Sequence, residues 1–384
     1  MWVKACIISY HDSHDYNTRT KYLEAFLRSK GYEVETLISD FNHINKCEYH
    51  VERSDTQLIH VKPYTKNLSI ARVNSYVGFA KSCAECLLKQ GKVDLVYLLA
   101  PPNLLIKEIA LLKRKMKFRF IVEVGDMWPE SLPVSETVKT IGKPAFYLWR
   151  RIRDKYINQA DYVIAECELF RTRLIRNGLL VPSKKVYFCK EPLFDGSNAL
   201  KYDCDHISLC YLGSINNIID IEYIRKFIYS LSQKKKVTVH IVGKGEYEEA
   251  LCDSIRNSGG DIIFYGPIYD DNKKKEIISM CHFALNIMRK NVFVGMTMKS
   301  LDYFSIGIPI INSVHGDIWD VIEDNQCGFN SDSPCDMAHR IDGLSEEGYE
   351  LLKANTIATQ ENNFSTDIYN RTMNLIFTEM EKGV

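Results

Sequence analysis

Apolar and polar positions in the first half of the chain alternate between two rhythms. Short β-branched and apolar runs at Lys4–Ser9, Glu33–Ile38, Asp94–Leu99, Phe118–Glu123 and Tyr162–Ala165 predict buried strands. Amphipathic stretches at Thr18–Lys30, Leu68–Lys89 and Lys143–Gln159, and one from Pro101-Pro102 to about Lys115, predict helices between them. Gly31 stops the first helix, as glycine does at a helix end. A strand–helix–strand order of this kind implies a parallel sheet covered on both faces.

The periodicity lapses around Glu191–Asp205, which reads as a linker, and then the rhythm restarts. Strands are expected at Ile207–Leu212, Val237–Val242, Ile262–Tyr265, Phe283–Ile287 and Ile308–Asn312. Helices are expected at Ile218–Ser232, Tyr247–Asn257, Asn272–Met280 and Met298–Ser305, with a last amphipathic segment at Thr366–Lys382. The expected architecture is α/β, with two doubly wound, Rossmann-like domains facing across a cleft. We place them at residues 1–192 and 193–365, with the helix at 366–384 expected to pack back on the first. Such sheets bind ligands at the carboxyl ends of their strands, where strand order reverses.

Length and charge narrow the function. At 384 residues the chain suits two domains of ordinary size. Lys plus Arg and Asp plus Glu both number 49, so nothing favours nucleic acid as a partner. The N-terminal run Met1–Ser9 passes at once into His11, Asp12, His14 and Asp15, unlike a secretion signal, and no segment is apolar for the length of a bilayer. The twelve cysteines therefore read as reduced thiols in a cytoplasmic protein. Cys83 and Cys86 lack a second pair, and His43, Cys47, His50 and His60 are too scattered for a zinc site, so no metal is expected.

The chemistry concentrates in the second half. Three expected strands run into glycine: Gly213-Ser214, Gly243-Lys244-Gly245 and Gly266-Pro267. Glycine there lets backbone amides and a bulky ligand approach closely. Glu248 occupies the third glycine position of a dinucleotide fingerprint, and no phosphate-binding P-loop is present. Gly295 precedes a helix that begins near Thr297 and stops at Gly307. Its N-terminus, with Thr297, Met298 and Lys299, offers unpaired amides and a positive dipole end suited to a diphosphate. Asp302 can accept ribose hydroxyls, while Lys299 can reach phosphate; an ordinary i, i+3 ion pair between them is the competing reading.

These residues resemble the retaining glycosyltransferases of family 4, which have the GT-B fold. The resemblance rests on Tyr211-Leu212-Gly213-Ser214, Ile241–Glu246, Phe264–Ile268, and Lys299–Ile311 with its Gly307 and Pro309. Gly31-Tyr32-Glu33-Val34 and Asp126-Met127-Trp128-Pro129-Glu130-Ser131 extend it through the first half. The last of these is similar to a loop of members that build bacterial surface polysaccharides. It implies that Asp302 holds the donor ribose, that the Thr297–Lys299 amides lie near the diphosphate, and that Gly213, Ser214, Gly243, Lys244 and Gly266 line the donor site. Val294 stands where the family has a first glutamate, a departure. His315-Gly316-Asp317 matches the family's next glycine-containing loop.

The resemblance further implies transfer from a nucleotide-diphosphate sugar, UDP-sugar being expected, to a saccharide or lipid-linked acceptor with retention. No cofactor and no metal are expected, and Arg289 and Lys290 are our choice for neutralising the leaving diphosphate. Asp126 and Glu130 are candidates for orienting or deprotonating the acceptor, and Arg19 for contacting phosphate or standing as a solvated helix-start charge. Lys139–Lys155, with Phe146, Tyr147, Trp149, Arg150, Arg151 and Arg153, reads either as an aromatic-basic helix lying on an anionic membrane or as a core-facing helix with a basic outer face. Two alternatives stay open: a nucleotide-sugar 2-epimerase of the same fold, and a catalytically silent GT-B partner subunit.

Overall fold

The β-branched runs form strands that are buried on both faces, as a parallel sheet under two helical layers requires. The computed structural model describes residues 3–11, 18–43, 45–48, 50, 53–67, 69–132, 134, 136–194 and 200–382. Asp12, His14 and Asp15, and part of the expected linker (195–199), lie outside the described residues.

The chain divides into two units, one of Met1–Tyr187 with Asn370–Val384, the other of Phe188–Tyr369. The first contains β1 (Val3–Ser9), β2 (Tyr32–Ser39), the short hairpin β3 (Phe41–Asn42) and β4 (Cys47–Glu48), β5 (Thr56–Ile59), β6 (Leu95–Ala100), β7 (Arg119–Val124), β8 (Tyr162–Ala165) and β9 (Ser183–Lys185). Apart from the hairpin, these pair in parallel in the order β5-β2-β1-β6-β7-β8-β9. Strand order reverses between β1 and β6.

The second unit contains β10 (His206–Leu212), β11 (Lys236–Val242), β12 (Asp261–Gly266), β13 (Phe283–Asn286), β14 (Ile310–Asn312) and β15 (Gly328–Asn330). All pair in parallel in the order β12-β11-β10-β13-β14-β15, so order reverses between β10 and β13. Ile207, Leu209, Tyr211, Val239, Ile241, Phe283 and Leu285 meet Ile224, Phe227 and Ile228 of the helix Ile221–Ser232 in its core.

Short elements escaped the sequence reading. β5, β9 and β15 have three or four residues, too few for a period to declare itself. The helices Glu168–Arg176, Asp317–Asn325, Pro334–Asp342 and Glu346–Thr359 were also unassigned. The helix Thr366–Lys382 follows a π-helical turn, Gln360–Phe364. From Asn370 onward it belongs to the first unit. There Phe377 meets Phe26 edge-on at 5.2 Å, and Glu379 accepts from Tyr162 Oη at 2.6 Å and pairs with Lys184 at 3.1 Å.

Candidate functional site

Each strand of the β13-β14-β15 edge ends in asparagine, and the parallel register sets the three side by side: Asn286 opposite Asn312, and Asn312 opposite Asn330. Their side chains form a buried amide ladder. Asn286 Nδ2 donates to Asn312 Oδ1 at 2.8 Å, and Asn312 Nδ2 donates to Asn330 Oδ1 at 2.8 Å. At its β13 end, Asn286 Oδ1 accepts from the Thr297 hydroxyl at 3.1 Å. Thr297 caps the helix Met298–Ile306, its Oγ1 accepting from Ser300 N at 3.3 Å. The ladder thus fixes a helix N-terminus at the point where strand order reverses. The first-turn amides of Met298 and Lys299 have no intrahelical acceptor, so they form the positive end of the dipole, where an anion would be favoured.

Lys299 and Asp302 do not form the i, i+3 pair. Lys299 is buried, its Nζ lies 4.5 Å from the centre of the Tyr211 ring, and it has no ion pair among the described residues. Burial pushes its pKa down to about 8. A buried ammonium held only by an aromatic face is short of an anion. Asp302 pairs instead with Lys190, and lies 3.5 Å from Lys274.

The three glycine-ended strands are stitched together beyond the sheet. Gly213 N donates to Val242 O at 2.9 Å, Gly243 N to Gly266 O at 2.9 Å, and Ile215 N to Lys244 O at 3.0 Å. A Cβ on Gly243, whose φ is +156°, would stand 1.9 Å from the Gly213 carbonyl oxygen. Glycine at 243 therefore serves contact between backbones, not room for a ligand. At Gly213 and Gly266 a Cβ would meet nothing within 4 Å, so the open space lies there. Ser214 and Lys244 are exposed, and Ser214 O accepts from Tyr211 Oη at 2.9 Å.

Arg289 and Lys290 are both exposed. Arg289 donates through its backbone N to Ile218 O at 2.9 Å and through Nε to Ile219 O at 3.3 Å, while Lys290 lies 3.3 Å from Asp332. His315 shares Asp332 at 3.1 Å. Gly316 packs against Val294 and Gly295, where a Cβ would come within 2.8 Å of Val294 O.

In the first unit, two expected site residues prove to be internal struts. Arg19 is 2% exposed and pairs with buried Glu123, donating also to Val186 O at 2.8 Å. That corrects both readings of Arg19, since its guanidinium is neither solvated nor open to phosphate. Glu130 is held on both oxygens by Arg153, at 2.8 Å each. Arg153 is fully buried and also pairs with Asp154 at 2.8 Å, so it does not belong to a basic outer face. Asp126 is partly buried and accepts from Ser131; burial raises its carboxyl pKa.

The sequence reading missed a cluster at the carboxyl ends of β1, β2 and β7. Tyr10 and His11 follow β1, His43 follows β2 by way of β3, and Trp128 follows β7. His11 meets Tyr10 at 4.8 Å, His43 at 4.9 Å and Trp128 at 5.8 Å between ring centres. Arg72, from the helix Ile70–Gln90, lies 4.5 Å from the Trp128 ring centre and donates to Tyr76 Oη at 2.5 Å. Burial, with Arg72 and Lys46 nearby, lowers the His43 pKa to about 3, and burial also lowers that of His11, so both rings are neutral at pH 7. Lys46, also depressed by burial and by Arg72, falls to about 8. Trp128 O is held by Asn103 at 2.9 Å and by Arg153 at 2.8 Å. Aromatic rings at strand ends, visible in Tyr10-His11 and Trp128-Pro129, were the available signal.

His43 donates to, or accepts from, Tyr64 Oη at 2.5 Å, and His60 pairs with Asp40 at 2.7 Å. Among the described residues, His43, Cys47, His50 and His60 do not converge as a ligand set. The helix Lys143–Ile157 exposes Tyr147 and Leu148, and the short helix before it exposes Ile141. Among the described residues no helix is long and apolar enough to cross a membrane.

Residues 206–347 match the model of the family described as Glycosyl transferases group 1. No curated protein matches the chain. Sucrose-phosphate synthase from Thermosynechococcus elongatus shares 13% identity, with all of both chains covered and a TM-score of 0.75. HepE from Anabaena, solved in complex with UDP, shares 13%, covering 99% of this chain and 100% of its own, with a TM-score of 0.69. The lipopolysaccharide outer core galactosyltransferase WaaB shares 14%, covering 98% and 100%, with a TM-score of 0.64. The solved structures bear out the GT-B fold that the resemblance implies, and the family match falls on the second unit.

Proposed function

We propose that this chain is a glycosyltransferase of GT-B type, and with that its donor, its acceptor and its stereochemical course. The donor is a UDP-sugar, bound in the second unit with its diphosphate at the N-terminus of Met298–Ile306 and its ribose on Asp302. One observation carries this reading: a buried, carboxylate-free Lys299 stands in the first turn of a helix mounted at the strand-order reversal. HepE, solved with UDP, supports the choice of nucleotide.

In the mechanism, the helix amides and the Lys299 ammonium stabilise the charge that develops on the departing diphosphate, and Arg289 and Lys290 add exposed positive charge beside it. The acceptor is a saccharide or lipid-linked glycan. The cluster of Tyr10, His11, Tyr76 and Trp128 forms a buried aromatic floor under the acceptor, and Asp126 orients an acceptor hydroxyl. Acceptor attack on the face the diphosphate leaves gives retention, as the motif resemblance to family 4 implies. A role in surface polysaccharide synthesis follows from the Asp126–Ser131 loop. Exposed Ile141, Tyr147 and Leu148, beside Arg150 and Arg151, suit peripheral contact with the inner face of an anionic membrane.

Calorimetry against UDP, GDP, ADP, CMP and their sugar conjugates tests the donor. Saturable binding of UDP, weakened roughly ten- to hundredfold in Asp302→Ala, is the expected result, since a hydrogen bond to a charged group contributes about 1.5–3 kcal/mol. Binding of none of them removes the transferase donor site and leaves the silent-subunit reading, which Val294 favours. With a product in hand, the anomeric proton coupling reads retention or inversion.

A further inference from the structure

The carboxylate of Asp302 is engaged on one oxygen only. Lys190 Nζ donates to Oδ1, and Lys274 Nζ stands 3.5 Å from the same oxygen. Among the described residues Oδ2 accepts no hydrogen bond. Asp271 braces both lysines from the other side, 3.1 Å from Lys190 and 2.6 Å from Lys274. The side chains of Lys190, Lys274 and Asp302 are 16%, 13% and 17% exposed, so this is a set cluster and not a chance meeting of solvated charges.

Lys190 is also fixed through its backbone. Its N–H donates to Phe364 O at 3.0 Å, and Gln360 Nε2 donates to its carbonyl at 2.5 Å. Both partners belong to the π-helical turn Gln360–Phe364, the kind of local irregularity that often marks a functional site. A few residues on, the amides of Leu193 and Phe194 donate to Ser305 O, in the helix that carries Asp302. Two segments far apart in sequence thus hold one lysine against one oxygen of one aspartate.

We propose that Lys190, assisted by Lys274, is a positioning residue for the donor: by occupying Oδ1 of Asp302 it commits Oδ2 to a ribose hydroxyl. This rests on the reading of Asp302 as the ribose carboxylate. An aspartate free to turn about its terminal bond would lose that freedom on binding, whereas one already clamped does not. Aspartate is a methylene shorter than the glutamate of the family pattern, and the clamp fixes where its free oxygen stands.

The test measures the affinity of UDP, with GDP and ADP in parallel, and of their 2′-deoxy and 3′-deoxy forms and pyrophosphate. The proteins are the full chain and its Asp302→Ala, Lys190→Met, Lys190→Arg and Lys274→Met variants, each with a melting curve. The natural chain should prefer the ribonucleotide over one deoxy form by roughly tenfold or more, and Asp302→Ala should abolish that preference. Lys190→Met should shrink it below about threefold while pyrophosphate binds as before, and Lys190→Arg should restore part of it. A role confined to charge or folding would instead weaken the ribonucleotide, its deoxy forms and pyrophosphate together. If Lys190→Met does not melt cooperatively, Lys274→Met makes the same test against the same oxygen. Full ribose preference in the lysine variants overturns the clamp and leaves Asp302 its role. No ribose preference in the natural chain, or its survival in Asp302→Ala, overturns the assignment of Asp302 and the clamp with it.

Discussion

The two units build their strand-order reversals from opposite materials. In the second, the floor is polar and rigid: three buried asparagines in register, a threonine cap and a buried lysine without a carboxylate. In the first, the carboxyl ends of β1, β2 and β7 carry tyrosine, tryptophan and two neutral histidines, with Arg72, Lys46 and Asp126 among the charged groups around them. Fixed dipoles and an unpaired cation suit a ligand of constant charge, whereas a floor of packed aromatic rings offers shape and few fixed charges. The same topology therefore serves two chemistries, because what a sheet of this kind binds is set by the few residues at its strand ends.

The sharpest break in this comparison comes from the ladder. Asn312 bonds both neighbours, so Asn312→Leu leaves Asn286 and Asn330 each short of a buried partner. Unsatisfied buried polar groups of this kind cost about 1–3 kcal/mol each, and we expect a loss of about 3 kcal/mol in urea unfolding monitored on the second unit. Nucleotide binding should fall with it, because Asn286 orients Thr297. An unchanged denaturation midpoint would mean that the ladder is not a structural element of the site.

Lys299 gives the next effect, roughly tenfold in affinity. Its pKa stands at about 8 against an ordinary 10.5, so it loses its charge as pH rises through about 8. A bound diphosphate favours the charged form, and donor affinity should decline above that pH. Folding stability moves the other way. Between about 8 and 10.5 the unfolded chain binds more protons at this site, so the site's contribution to stability rises with pH. Lys299→Met should flatten both slopes over pH 7–10, read by calorimetry and by chemical denaturation. Parallel slopes in the two proteins would remove Lys299 from the anion site.

Much of this was legible in the sequence, and the rest was hidden for physical reasons. The central strands of both sheets announced themselves because burial on both faces makes continuous apolar runs. Thr297, Lys299 and Asp302 stood out because a glycine-bearing loop there leads into a helix N-terminus, within a stretch that resembles the family's donor motif. The asparagine ladder was present as three strand-final residues, in Phe283–Asn286, Ile310–Asn312 and Gly328–Asn330, yet only parallel register makes them neighbours. Arg19 and Glu130 failed as site candidates for a related reason. Their partners, Glu123 and Arg153, lie 104 and 23 positions away, and a sequence read locally cannot tell a buried ion pair from two solvated charges. Lys190 escaped notice at the edge of the expected linker, because the segment has no periodicity and its order comes from Gln360, Phe364 and Ser305.

The smallest effect, confined to acid, concerns the first unit. Burial together with Arg72 and Lys46 holds the His43 pKa near 3, against an ordinary 6.5, so the folded chain binds fewer protons there than the unfolded chain. Its contribution is fully present above about pH 6.5 and is lost as pH falls towards 3. At neutral pH His43→Gln should therefore change little, since glutamine can still bond Tyr64 Oη. Between pH 6.5 and 4 the natural chain should lose stability more steeply than the variant in denaturant titrations. Equal slopes would move the acid sensitivity of the aromatic cluster to His11, whose pKa burial also lowers and whose Nδ1 has no hydrogen-bond partner among the described residues. Either way the first unit should respond to acid where the Lys299 site of the second responds to alkali, because one floor buries neutral bases and the other buries a cation.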